Sequence, residues 1–145
     1  MSGATRYTVY VAVHKGDPMD FSKYRHTGLW FVPENSVPHY FYHVRGKPTV
    51  FLFEMRKNWD PTRSANFAKK VLAGRISHPL TASELEQHMR SVTVGNDDHE
   101  FNCQQWVQMA LLLLRQKGLL TQEQYDAGVD GMIDATMEAA DEDIA

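Results

Sequence analysis

With 145 residues, 43% of them hydrophobic, the chain suits one compact domain, residues 1 to 145, that can bury a real core. A net charge of −3 and scattered Lys and Arg leave no electrostatic footprint for nucleic acid or an anionic membrane, and no apolar run is long enough to span a bilayer. The single cysteine excludes an internal disulfide and a Cys-rich metal centre, which fits a reducing, cytoplasmic setting.

Tyr7 to Val13 is dense in β-branched and aromatic residues and stops before the turn chemistry of Lys15-Gly16-Asp17-Pro18, so it predicts a first strand. After an irregular connection over Met19 to Arg25, His26-Thr27-Gly28-Leu29-Trp30-Phe31-Val32 predicts a second, ended by the Pro33 to Pro38 loop. His39 to Val44 and Thr49 to Met55 supply a third and a fourth. Short connections between them argue for an antiparallel meander.

Beyond Asn58 the pattern turns helical. Asp60-Pro61 predicts a helix over Thr62 to Ala73, because Asp caps and Pro suits the first helical position. Thr81-Ala82-Ser83-Glu84 is a capping-box pattern that opens a helix to about Arg90, and Thr121-Gln122-Glu123-Gln124 repeats it, with a short helix near Gln122 and a last one after Asp130. An acidic tail, about 138 to 145, should fray. Between these lies a helix over about 103 to 117, capped by Asn102, stopped by Gly118 and apolar on nearly every face from Met109 to Leu114. The predicted class is α+β: an antiparallel meander packed against C-terminal helices, the Cys103 helix central and buried.

That helix holds the only thiol at its positive end, where the dipole and unpaired amides favour thiolate. In a hairpin closed by the 33 to 38 loop, position 26 faces 45. His26, His39 and His43 then share one face, with His43 diagonal to His26. This suggests a thiolate Cys103, a general acid or base His26, and His43 holding the imidazole tautomer. No carboxylate cluster completes a zinc site, and neither metal nor cofactor is called for.

His26-Thr27-Gly28-Leu29-Trp30-Phe31 in an N-terminal hairpin, followed much later by Asn102-Cys103-Gln104-Gln105-Trp106-Val107 at a helix start, resembles the circularly permuted papain-like superfamily (NlpC/P60, lecithin retinol acyltransferase-like and PPPDE-like proteins). In that group the His strand precedes the Cys helix. The resemblance covers roughly Tyr7 to Leu120. It implies a permuted papain-like fold and a hydrolase or acyltransferase of amide, ester or thioester substrates that acts through a covalent thioester on Cys103, with His26 as base and His43 as third polar residue. The backbone amide of Cys103 is the natural oxyanion donor, with Asn102 and Gln104 as candidates for a second, and Tyr24 and Tyr42 could line the cleft. A small molecule or a peptide or protein conjugate would be the substrate. Two alternatives stay open: a cyclase or isomerase using the same residues for acid-base work, and an inactive binding module. Oligomeric state is not legible.

Overall fold

The computed structural model describes residues 3–16, 19–35 and 38–139. Five strands, β1 (Tyr7–His14), β2 (His26–Pro33), β3 (Tyr40–Arg45), β4 (Leu52–Lys57) and β5 (Phe67–Arg75), form one antiparallel sheet in the order β4-β3-β2-β1-β5. Three helices follow: α1 (Ala82–Arg90), α2 (Cys103–Gln116) and α3 (Gln122–Met137). The class is α+β, and the first four strands run as a meander. The loop residues 17, 18, 36 and 37 and the acidic tail beyond 139 lie outside the described residues.

Period-two alternation divides the sheet into two unlike faces. Val9, Val11 and Val13 of β1, Leu29 and Phe31 of β2, and Tyr40, Tyr42 and Val44 of β3 point towards α2. They make the main core with Trp106, Val107, Ala110, Leu111 and Leu114. On the opposite face Ala12, Trp30 and Phe41 form a smaller cluster with Tyr10, Val32 and Trp59. The hairpin pairs Leu29 with Tyr42, the register that sets position 26 opposite 45.

Two expectations about the second half are corrected. The helix expected over Thr62 to Ala73 is a single 3-10 turn at Pro61–Arg63 followed by β5. The cap is real, since the Asp60 carboxylate accepts from the Thr62 amide at 2.9 Å. The chain then turns back, and Phe67 to Arg75 pairs along the free edge of β1. Ala68, Lys69, Lys70 and Leu72 favour helix in isolation, but an unpaired central strand as apolar as β1 gains more from a ladder partner. The two short helices expected after Thr121 are one continuous α3. Gly128 and Gly131 lie on its contact face: a Cβ on Gly131 would stand 2.3 Å from a Val71 methyl, and one on Gly128 3.1 Å from Ala73. The missing side chains let α3 lie close on β5.

No helix among the described residues is long and apolar enough to cross a membrane.

Candidate functional site

The site is assembled at the end of β2 where His26 begins the strand. Asn102 caps α2, accepting from the Gln105 amide at 3.0 Å while the Gln105 side chain accepts from the Asn102 amide at 3.0 Å. That reciprocal pair fixes Cys103 in the first turn. Its sulfur lies 3.8 Å from the Arg25 carbonyl, with the amide and hydroxyl of Thr27 also beside it. Arg25 and Thr27 flank His26, so the thiol packs against the backbone segment that carries the imidazole. His26 and Cys103 border one cleft of about 430 Å³, together with Tyr24, Pro48, Phe51 and His99. No hydrogen bond joins the sulfur to the ring among the described residues, because alternation turns Thr27 towards the helix side of the sheet and His26 towards the other.

What His26 does touch is a row of side chains drawn from three adjacent strands. Its Nε2 lies 2.6 Å from Nδ1 of His43, and Nε2 of His43 lies 2.6 Å from Oε1 of Glu54. Glu54 is directly opposite His43 in the β3/β4 ladder. Gly28 makes room for the diagonal contact, since a Cβ there would stand 2.3 Å from the Phe41 ring and 3.0 Å from Cβ of His43. Burial pushes the pKa of Glu54 up, but hydrogen bonds from His43 and Arg56 outweigh it and hold the carboxyl below its ordinary value. Both imidazoles are held below theirs. For His26, burial and then the repulsion of His43, His14 and Arg56 bring the pKa down to about 3. For His43, burial prevails over the opposing Glu54 contact.

An ionised Glu54 and two neutral rings admit one proton order. Nε2–H of His43 donates to Glu54. Nδ1 of His43 therefore accepts, and Nε2–H of His26 donates to it. Nδ1 of His26 keeps its lone pair and has no hydrogen bond among the described residues. The row thus presents a bare nitrogen to the cleft, one that burial and the neighbouring charges leave only weakly basic.

The thiol departs from expectation. Burial pushes the pKa of Cys103 above its ordinary value, against the lowering pull of the Thr27 amide and hydroxyl and of the Cys103 and Gln104 amides. At neutral pH the resting pair is thiol and imidazole, because the helix end is not wet enough for its dipole to win.

Of the other expected residues, Tyr24 borders the cleft. Tyr42 does not: it is wholly buried, its hydroxyl has no partner among the described residues, and alternation sends it into the helix-side core opposite His43. The Gln104 side chain donates to the carbonyls of Ser22 and Arg25 at 3.0 and 3.2 Å, so it fastens the approach to His26 and is not a free oxyanion donor. The side-chain oxygen of Asn102 is taken by the cap. Sequence reasoning passed over Glu54, Thr27 and His14. Thr27 follows from period two once Cys103 is placed on the helix side, whereas Glu54 needed the β3/β4 register. No group of three or more His, Cys, Asp or Glu among the described residues is arranged to hold a metal ion.

The buried rings carry a pH dependence. Unfolded, each imidazole takes up a proton near pH 6.5; folded, His26 does so only near 3, so between these values the unfolded chain binds more protons and stability falls as pH falls. Chemical denaturation at pH 7.5 and pH 4.5 is expected to differ by about 2–3 kcal/mol from His26 alone, and His26→Asn should flatten that slope. An unchanged slope in the variant would refute the assignment.

A model of a family of unknown function (DUF6540) matches residues 9–121, more than half of the chain, and the chain belongs to that family. Neither a curated protein nor a solved structure matches.

Proposed function

We propose that this member of the DUF6540 family is a cysteine-dependent acyl-transfer enzyme, a hydrolase or acyltransferase of the permuted papain-like kind, working on an amide, ester or thioester. The observation that carries the reading is the Glu54-His43-His26 row, which ends in a neutral ring at the cleft that Cys103 borders. The order of parts, an imidazole strand before a capped cysteine helix, supports it. A lone thiol, kept reduced, suits a cytoplasmic site of action.

The mechanism follows from the raised thiol pKa. Because no thiolate waits at rest, Nδ1 of His26 takes the thiol proton while sulfur attacks the substrate carbonyl, in the manner of a serine nucleophile. Thr27, beside the sulfur, steadies the charge as it develops. The first-turn amides of α2, Cys103 among them, face the oxyanion. His26 returns the proton to the leaving group as the carbonyl reforms. The resulting thioester is opened by water or another acceptor, whose proton passes to His26 and then to the departing sulfur.

Incubation with an activated acyl ester followed by peptide mass spectrometry tests this. An acyl adduct on the Cys103 peptide, discharged by hydroxylamine and absent from Cys103→Ala and His26→Ala, is the expected result. Turnover that survives Cys103→Ala but not His26→Ala would instead establish the second reading, acid-base chemistry by the row alone. The half-buried, undissociated thiol and its lack of a hydrogen bond to His26 among the described residues favour that alternative.

A further inference from the structure

Two clefts meet at His26. Besides the one bordered by Cys103, a second of about 360 Å³ is lined by His14, Tyr24, His26, Phe41, Arg56 and Trp59. Its lining is aromatic: Phe41 and Trp59 have ring centroids 4.9 Å apart, and His14 stacks on Trp59 at 6.0 Å with an interplanar angle of 30°. His14 is 6% exposed, yet neither of its ring nitrogens has a hydrogen-bond partner among the described residues. The carbonyls of Pro61 and His26 lie near without closing a bond to it. A buried polar ring left so is a cost that a ligand group would recover. Two cations stand at this cleft. Arg56 is shared with Glu54 at 3.1 Å and lies over Trp59, while Lys15 makes no ion pair among the described residues.

We propose that this second cleft is the acceptor subsite of the acyl-transfer enzyme, built for a small planar aromatic carboxylate that carries a nucleophilic hydroxyl or amine. This rests on the reading above and extends it from hydrolysis to transfer. The aromatic walls take the ring of the acceptor, Lys15 its carboxylate, and His14 a polar substituent. A base that borders both clefts is what transfer needs. The acceptor's oxygen or nitrogen bonds to the thioester carbonyl carbon and its proton passes to Nδ1 of His26. The carbon–sulfur bond breaks, and the departing thiolate of Cys103 takes that proton back. Water in the same place would give hydrolysis.

The probe is 4-hydroxybenzoate, with the neutral 4-hydroxybenzamide as its isosteric control, titrated calorimetrically into the full chain carrying Cys103→Ala so that binding is read apart from turnover. Saturable binding of the carboxylate is expected, weakened about tenfold or more by Lys15→Met, by Trp59→Leu and by exchange for the amide. Equal binding of the two compounds, indifference to Lys15→Met, or no binding would overturn the subsite. Selective binding without acylation of the probe by the wild-type chain would sink the acyl-transfer reading, whereas acyl-ester hydrolysis by a chain that does not bind the probe would sink this inference alone.

Discussion

His26→Ala is expected to lower kcat/KM on an activated acyl ester by about 10⁴-fold, and Glu54→Gln by about 10²- to 10³-fold, with the fold intact in both. Under the proposed mechanism, the first removes the atom that receives the thiol proton. The second leaves every heavy atom in place and acts through the protons. A glutamine can turn its NH₂ towards Nε2 of His43, which must then accept, so the hydrogen moves to Nδ1 of His43 and is donated to Nε2 of His26. That forces a proton onto Nδ1 of His26, the nitrogen that should be bare. Even with its carbonyl turned inward, glutamine no longer offers a charge to favour the imidazolium that forms during attack. Glu54→Asp should recover part of the loss, since it restores the charge and only shortens the reach. Rates of Glu54→Gln within a few-fold of wild type, with an unchanged pH profile, would remove Glu54 from the mechanism.

Trp106→Ala is expected to destabilise the chain by about 3–5 kcal/mol in denaturant unfolding, while Trp106→Phe should cost far less. Trp106 is wholly buried, sits one turn into α2 and meets Phe53 of β4 with ring centroids 6.0 Å apart. Alanine leaves a cavity under the turn that holds Cys103, which a packed core cannot refill. The phenylalanine variant separates volume from polarity, because the indole N–H is buried with no partner among the described residues and gives up no hydrogen bond on removal. Comparable destabilisation by the two substitutions would show that the indole nitrogen matters after all.

The parts of this molecule that could be read from the chain are those written in neighbouring residues. Asn102, Thr81 and Thr121 announce their helices because a capping box is a local exchange of hydrogen bonds. The β2/β3 register, and with it the diagonal pairing of His26 and His43, followed from one short loop and the pleat. What escaped depends on distant partners. β5 is a strand only because β1 needs an edge neighbour, a fact absent from Phe67 to Arg75 itself. Glu54 comes opposite His43 through a connection whose course is set by Asn96, which holds both the amide and the carbonyl of Phe51 from 45 positions away. The protonation state of Cys103 turned on how deeply the sulfur is sunk. A helix dipole can be read from a sequence, whereas the amount of water left at its end cannot. Tyr42 was the avoidable error, since the alternation that placed His43 on one face had already assigned its neighbour to the other.

The three-strand row also has a direction. Its charged terminus, Glu54, is 28% exposed on the edge strand beside Arg45 and Arg56, while its other terminus lies inward at the junction of the two cavities. The imidazoles make the one hydrogen-bonded connection between that inward nitrogen and the rim among the described residues. A proton sent that way would leave His26 from Nε2 and strand hydrogen on Nδ1, so under the proposed mechanism the Nδ1 proton departs by the route it came, and the exposed carboxylate steadies the ring's charge without draining it.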